Sequence, residues 1–485
     1  MHWLPGEPEL AAMLAFIVGL VVSLISFGAA AHALLTKSDP RSAGVWIALC
    51  LLFPLLGAIA YALFGNNRIR TRARRLRAQP DQDEAAEPLV LEYVAAERLI
   101  APEYRNLALL GHAASGNELL TGNSVEALLC GENAYPAMLH AIGEARHHVW
   151  LASYIFEAHG IGREFITALG AARARGVDVR VLLDGFGQFY TLPLAAPALR
   201  RLGVKVARFL QPRLLPPNLS LNLRNHRKIL VVDGEMAFTG GMNIRGKHMA
   251  QNGRPARVTD MHFRLRGPVV HQIEEVFAAD WLFSSRESLP RLVQPLQPTT
   301  LPDEAECRVI VDGPNEDIDK LLWVLVGAIN AARHNIRIMT PYFLPPRELA
   351  LALQTAALRG VEVTIVLPEH NNFVFMTWAA THALGELLKT GVRVHFFEGP
   401  FLHTKLLLID DYYAQIGSSN LDPRSLRLNF EIAVEVYDHT FGQQLQCHFS
   451  DTLERSAQYT YRDWRRRGVL HQLRDALFWV FSPYL

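Results

Sequence analysis

The chain is 485 residues long, with 48 Lys and Arg against 47 Asp and Glu and a formal net charge of +1. Charge this evenly balanced gives no basic excess of the kind a nucleic-acid partner draws on, and nucleic acid is not expected among its ligands. Its four cysteines, Cys50, Cys130, Cys307 and Cys447, have no paired spacing, which excludes a disulfide framework and predicts reduced, buried thiols in a cytoplasmic protein.

Residues 1–80 differ in kind from the rest. Leu10 to Leu35 contains no Asp, Glu, Lys or Arg, and Ser42 to Phe64 is again uncharged. At about 1.5 Å per helical residue, each is long enough to cross a hydrocarbon core of about 30 Å. The polar link between them, Thr36 to Arg41, has room only for a hairpin, and Pro54 is expected to kink the second span. A cleaved signal peptide is the competing reading of the first span, with Ala29 to Ala31 and Ala33 resembling a cleavage site. Against it, no Lys or Arg precedes the apolar run and a second apolar run follows at once. The prediction is an N-terminal two-helix transmembrane hairpin. The basic run RIRTRARRLR follows, with Arg68, Arg70, Arg72, Arg74, Arg75 and Arg77, and the positive-inside rule assigns it to the cytoplasmic side. Beside a bilayer, each arginine contributes about 1 kcal/mol of attraction to anionic headgroups.

The remainder is too long for a typical single core and suits two domains, expected at 81–285 and 306–485 with a linker at 286–305. Pro80 to Pro88 is an acidic, proline-bounded linker, and Ser284 to Asp303 is rich in Pro, Ser and Thr. The halves repeat. ARHHVWLASYIF (Ala145 to Phe156) corresponds to ARHNIRIMTPYF (Ala332 to Phe343), and ARGVDVRVLLD to LRGVEVTIVLP. Gly176 and Gly360 stand where a helix stops before a strand. The order strand, helix, strand, then a further strand predicts two related α/β domains, each a mixed sheet sandwiched by helices, packed about a pseudo-twofold axis.

The chemistry sits on that last strand. NHRKILVVDG supplies His226, Lys228 and Asp233; LHTKLLLIDD supplies His403, Lys405 and Asp410. A small-residue turn and an asparagine follow each at the same distance, Asn243 after Gly240 and Asn420 after Gly417. A lone His-x-Lys is most simply an ordinary core or turn histidine; two copies in register, with matched asparagines, are not. The aliphatic residues after each lysine predict a buried strand. On a strand, positions i and i+2 share a face, so each histidine points the same way as its lysine. The aspartates lie an odd number of residues beyond, at a turn, and read as positioning residues within the catalytic set. Two imidazoles can divide nucleophile and acid/base duties, since their unperturbed pKa of about 6.5 lets one be neutral and the other protonated. Two ammonium groups suit the oxygens of a phosphodiester and the added charge of a five-coordinate transition state. Paired cysteines and an H-E-x-x-H run are both missing from the sequence, which favours metal-free phosphoryl transfer through a phosphohistidine, with no cofactor.

This motif pair resembles the phospholipase D superfamily, and its surroundings look like the bacterial cardiolipin synthase family. The matching text is LNLRNHRKILVVDG with FTGGMNI, TPYFLPP at Thr340 to Pro346, and FLHTKLLLIDD with GSSNLDPRSLRLNFE, the last being the most specific. The resemblance covers nearly the whole chain. It implies two phospholipase D-like domains, phospholipid substrates (phosphatidylglycerol above all), and a multi-pass protein of the bacterial cytoplasmic (inner) membrane with its catalytic domains on the cytoplasmic side. It also implies that His226 is the nucleophile and that His403 protonates the leaving alcohol and deprotonates the incoming one. Lys228, Lys405, Asn243 and Asn420 would hold phosphate oxygens. Asp260, after the first motif, and Glu431, after the second, would orient the histidines. The first motif departs from the family in having Gly241 where the second has Ser418, so hydroxyl contacts to phosphate are expected from one half only.

Three other activities use the same residues: hydrolysis, as in a phospholipase D; transphosphatidylation from another donor such as phosphatidylethanolamine; and a membrane-tethered nuclease. The motifs do not separate synthase from hydrolase, while a nuclease is disfavoured by the balanced charge and the apolar approach to His226. A non-catalytic scaffold would be expected to have lost one of the four His and Lys residues, and all are present. Two segments keep two readings each. Phe209 to Leu223 is either an acyl-guiding loop or a buried one. The tail from Trp464 to Phe481, basic then aromatic, is either an interfacial helix or one packed on the second domain.

Overall fold

The computed structural model describes residues 7–37, 40–65, 100–211, 223–250, 257–289, 304–314, 319–480 and 482. The Arg68 to Arg77 cluster, the Pro80 to Pro88 linker, residues 212–222 of the apolar loop and 290–303 of the second linker lie outside them. The described residues fall into two compact units, one of N-terminal helices and one containing everything from residue 100 onward.

In the N-terminal unit one helix, Glu7–Thr36, is long enough to span a membrane, its apolar part running from Leu10 to Thr36. The second expected span is not a single helix. Pro40–Leu52 has 13 residues, which at about 1.5 Å each is about 20 Å and short of the hydrocarbon thickness. It ends ahead of Pro54, whose missing N–H and ring disfavour continued helix, and Leu55 takes a left-handed φ of 67°. Leu56–Ala60 and a π-helical turn, Tyr61–Gly65, follow. Pro54 therefore breaks the segment where a kink was expected. Ala30, Ala33, Trp46, Cys50 and Tyr61 pack the helices together, with His32 Nδ1 2.7 Å from the Tyr61 hydroxyl.

In the larger unit the first half supplies strands β1 (Leu120–Leu129), β2 (His148–Ser153), β3 (Asp178–Asp184), β4 (Lys205–Phe209), β5 (Arg224–Asn225), β6 (Ile229–Val232), β7 (Met236–Gly240), β8 (Val258–Thr259) and β9 (Met261–Arg266). The second half supplies β10 (Ala305–Asp312), β11 (Asn335–Met339), β12 (Glu362–Pro368), β13 (Arg393–Phe397), β14 (Phe401–Leu402), β15 (Leu406–Ile409), β16 (Tyr413–Gly417), β17 (Asn429–Tyr437) and β18 (Ser456–Tyr459). They form one sheet in the order β18-β13-β12-β11-β15-β16-β17-β10-β1-β9-β7-β6-β2-β3-β4, with β5 beside β17, and a separate β14–β8 pair. Outward from the central antiparallel β1–β10 pair, the two arms carry the same order and directions, an antiparallel run and then a parallel trio, and the second-half arm adds one antiparallel edge strand, β18. Parallel neighbours need crossovers, and the helices Ile161–Ala174 and Ala195–Arg201 in one half, and Arg347–Leu358 and Val374–Lys389 in the other, supply them.

Both faces of the sheet are covered. All six residues of β2 are buried: Val149 and Leu151 join Phe165 and Leu169 in one apolar core, while Trp150 on the other face stacks on Phe277 at 5.5 Å. At the centre, Arg308 is fully buried and donates to Glu435, which also accepts from the Tyr413 and Tyr437 hydroxyls. The tail does pack on the second half, Phe478 lying 4.9 Å from Trp378. The four cysteines are free thiols, but Cys447 is exposed and Cys130 only half-buried, contrary to the expected burial.

Asp233 and Asp410 stand apart from the reactive groups. Each has a left-handed φ, 54° and 51°, and its carboxylate collects backbone N–H groups from the turn before a strand. Asp233 accepts from Arg146, His147 and His148 at 2.8 Å ahead of β2, and Asp410 from Arg333, His334 and Asn335 at 2.8, 2.8 and 2.7 Å ahead of β11. Their place in the catalytic set is thus corrected to a structural one, as the turn geometry anticipated. Asp233→Ala or Asp410→Ala is expected to cost about 2–4 kcal/mol, by stranding several donors of one turn. A lower unfolding midpoint for purified protein, with Asn recovering part of the loss, is the measurement that checks it.

Candidate active site

The histidine and lysine of each motif lie outside the ladder, in extended segments just before β6 and β15. Alternation still sorts the side chains. Arg227, between His226 and Lys228, turns the other way, donating to Asp280 at 2.5 Å and to the Glu431 carbonyl at 3.0 Å. The two halves are laced together on either side of the motifs. β5, preceding His226, runs parallel to β17 of the second half, and β14, preceding His403, runs parallel to β8 of the first. The His226 N–H donates to the Phe430 carbonyl at 2.9 Å and the His403 N–H to the Thr259 carbonyl at 2.7 Å.

This lacing crosses the histidine–carboxylate pairs. His226 Nδ1 lies 3.0 and 3.1 Å from the two oxygens of Glu431, and His403 Nδ1 lies 2.7 Å from Asp260 Oδ2. Each acid was expected to serve the motif that precedes it; each serves the other half. The carboxylates are fully buried, while the imidazoles keep 13 % and 12 % exposure. A carboxylate on Nδ1 fixes the ring and leaves Nε2 as its chemical edge.

The two acids are held differently. Glu431 accepts from the Ser418 and Ser425 hydroxyls and from Asn429 Nδ2, besides His226. Burial pushes its carboxyl up, but His226, Lys228 and Ser418 outweigh that and the net shift is downward. Asp260 Oδ1 accepts the Met261 N–H at 2.8 Å, and burial raises its pKa against the pull of Lys405 and His248. Gly241 takes the place of Ser418 here, and a Cβ on it would stand 2.2 Å from Asp260 Oδ1. The Gly/Ser difference therefore concerns the buried acid: the Ser418 hydroxyl is committed to Glu431, and its expected role as a phosphate contact is corrected.

Around these pairs the positive charge is dense. Burial pulls Lys228 down to about 7, with Glu431 opposing and Lys405 adding to the shift. Burial likewise pulls Lys405 down to about 8, against Asp260 and Glu431. Lys228 Nζ donates to the His226 carbonyl at 2.5 Å, and Lys405 Nζ to the His403 carbonyl at 2.6 Å. Burial, then Lys405, Lys247, Lys228 and His226, hold His403 well below the usual histidine range; His226 is lowered by burial and Lys228, with Glu431 opposing. Residues of both motifs thus act on one another within a single electrostatic site. Asn243 and Asn420 are both buried. Asn243 Oδ1 accepts the Ile155 N–H at 3.0 Å, while Asn420 Oδ1 has no hydrogen-bond partner among the described residues.

Several neighbours escaped the motif reading. Tyr154 lies 5.2 Å from the His226 ring and Phe401 5.7 Å from that of His403. In the repeat Tyr154 falls opposite Pro341, and Tyr342 opposite Ile155, so the repetition does not mark Tyr154. Buried Asp184 accepts the Asn225 N–H at 2.8 Å and steadies the approach to His226. His248, fully buried, lies 6.4 Å from the His403 ring, and nothing in its spacing marks it.

Two His-x-Lys half-sites joined across a repeated mixed sheet define a phospholipase D-like protein. A family model described as cardiolipin synthase, PLD-like domain, matches residues 138–281 and 325–453. A phospholipase D-nuclease N-terminal model matches residues 24–66. The chain is 33 % identical over 474 residues to cardiolipin synthase A of Serratia proteamaculans (strain 568), covering 95 % of this chain and 96 % of that protein. It is 29 % identical over 467 residues to the major cardiolipin synthase of Bacillus subtilis (strain 168), covering 93 % and 95 %. Among solved structures, phosphatidylserine synthase of Haemophilus influenzae Rd KW20 shares the fold, with a TM-score of 0.62 over 78 % of this chain and 100 % of that one at 14 % identity. The chain belongs to the cardiolipin synthase family of phospholipase D-like proteins.

The depressed lysines make anion binding pH-dependent. With free-site values of about 7 and about 8, Lys228 and Lys405 lose charge above neutrality, and a bound phosphate-like anion restores it by raising both pKa values. Binding of orthovanadate at pH 8 is therefore expected to take up protons, and affinity to fall as pH rises through those values. Calorimetry in two buffers of different ionisation enthalpy measures the uptake; a heat independent of buffer contradicts the prediction.

Proposed function

We propose that this protein is a cardiolipin synthase that moves a phosphatidyl group from one phosphatidylglycerol to a hydroxyl of another, giving cardiolipin and glycerol. The crossed histidine–carboxylate pairs carry this reading, because they supply two oriented imidazoles of opposite duty within one cationic site. In the first step His226 Nε2 attacks phosphorus, the P–O bond to the glycerol headgroup breaks, and His403 Nε2–H gives its proton to the departing oxygen. In the second, neutral His403 takes the proton from a glycerol hydroxyl of the second lipid, that oxygen attacks phosphorus, and the P–N bond to His226 breaks. One phosphodiester is exchanged for another, so no nucleotide is consumed. Lys228, Lys405 and the amides of Asn243 and Asn420 are assigned to the phosphate oxygens, where added negative charge develops. Glu431 and Asp260 keep Nδ1 of each ring protonated. The phosphate's own charge offsets Lys405, Lys247 and Lys228 and allows His403 to carry its proton once substrate is bound.

The assignment of His226 as nucleophile has support from the surroundings of its carboxylate. Glu431, held anionic by its donors, favours an Nδ1–H tautomer with a free Nε2 lone pair. Purified protein given phosphatidylglycerol in bilayers is expected to yield cardiolipin and glycerol; phosphatidic acid as the main product would make it a hydrolase instead. His226→Ala and His403→Ala are each expected to lower turnover about 10²–10⁴-fold. A His403→Ala protein that retained ordinary turnover would remove its acid/base role.

The finer membrane arrangement is also our reading. The uncharged run from Ser42 to Phe64 supports a return span made of two short helical pieces, and the following basic run supports a cytoplasmic catalytic unit at a bacterial inner membrane. The two domains would be 81–285 and 306–485, related by a pseudo-twofold axis, for which the repeated strand order is the support. Impermeant thiol reagents applied to intact cells are expected to spare a cysteine placed at Leu358 and to label it after lysis; labelling in intact cells would reverse the topology.

A further inference from the structure

The larger unit carries an apolar surface that neither its cores nor its site uses. In the helix Val469–Val480, the side chains of Val469, Leu470, Leu473, Leu477 and Val480 are 71, 81, 63, 58 and 62 % exposed. At 3.6 residues per turn they fall within an arc of about 100°, a single stripe. The opposite side of the helix is occupied: Phe478 packs on Trp378, and Asp475 is buried against Arg467 and Arg474. The helix is thus held by one face while a second apolar face meets water, an arrangement that marks an interaction surface.

Two further observations say what the surface meets. Arg462, Arg465 and Arg466 are exposed just ahead of the helix, whose only carboxylate is the neutralised Asp475, while Asp463 is committed to a capping box with Thr460. The edge is therefore cationic and complements an anionic surface. Beside it, at the start of the helix Val374–Lys389, Phe373, Val374 and Phe375 are 41, 54 and 38 % exposed. From there aromatic rings step inward to the site. Phe375 lies 5.6 Å from Phe373, Phe373 5.9 Å from Tyr342, Tyr342 6.2 Å from Phe401, and Phe401 5.7 Å from His403.

We infer that the outward face of the helix Val469–Val480, with the exposed start of the helix Val374–Lys389, docks the catalytic unit on an anionic bilayer, and that the aromatic row is the lane by which a phospholipid reaches His403. The inference rests on the phospholipid reading of the site. Its physical basis is that acyl chains drawn into water carry a cost that grows with every CH₂, so an unbroken apolar route from bilayer to site removes most of that cost. Basic residues flanking an apolar helical face are the combination that holds a helix in the interface plane.

The test uses the full chain in vesicles of phosphatidylglycerol and phosphatidylcholine, with exposed Cys447 replaced by serine. An environment-sensitive fluorophore is attached at Leu473→Cys or, as control, at Leu358→Cys, which is 71 % exposed on another helix. Blue-shifted emission quenched by brominated acyl chains is expected at position 473 and not at 358; water-like emission at both overturns the inference. In the second arm, Leu470→Glu with Leu473→Glu is expected to lower about tenfold the ratio of turnover on bilayer phosphatidylglycerol to turnover on its water-soluble short-chain form. The same ratio is expected to hold in Leu358→Glu. An unchanged ratio, including equal loss of both activities, overturns docking. Should the unaltered protein act on neither substrate, the synthase reading fails, and the fluorophore comparison still decides docking.

Discussion

Each imidazole is held by a carboxylate that the other half of the chain supplies. Glu431 reaches His226 and Asp260 reaches His403 because β5 lies along β17 and β14 along β8. Separating the halves would strand two fully buried carboxylates without their partners, a cost of several kcal/mol apiece. Arg227 strengthens the seam by joining Asp280 of its own half to the Glu431 carbonyl of the other. Packing of the halves and assembly of the chemistry are consequently one event, and neither half alone holds an oriented histidine.

Repetition at the level of the sheet coexists with inequality at the site. The strand order up to the parallel trio is the same in both arms, yet Glu431 has three neutral side-chain donors where, among the described residues, no neutral side chain donates to Asp260. The longer acid needs and receives Ser418, Ser425 and Asn429. Opposite it, the space of a serine side chain is taken by the Asp260 carboxylate against Gly241. A two-step transfer asks different things of its histidines, one to form a bond to phosphorus and one to carry a proton. Unequal carboxylate settings are a means of separating those duties on a duplicated scaffold.

Much of this was legible in the residues. Two His-x-Lys pairs in register, each with its asparagine, pointed to one shared site, and the structure sets the lysines and histidines of both motifs within a single electrostatic environment. The odd offset and turn context of Asp233 and Asp410 correctly set them apart, and both now cap the turn before a strand. Other expectations gave way for identifiable reasons. The uncharged length of Ser42 to Phe64 read as one span, but apolar composition says nothing of continuity, and Pro54 ends the helix. Ser418 read as a phosphate contact because a hydroxyl beside a motif has no direction until its neighbours are known. Phe401 lay inside the second-motif text without being singled out, and His248 had no motif of its own.

The sequence by itself determined the chemistry and the fold family: hydrophobic periodicity, the helix-stopping glycines and the duplicated motif are local patterns, and local patterns follow from backbone geometry alone. Only the tertiary structure decided which acid serves which histidine, how far the lysines' pKa values fall, and which face of the last helix is left to solvent. Those are relations between segments hundreds of residues apart. They depend on strand pairing and shared burial, and a one-dimensional spacing rule carries no information about either.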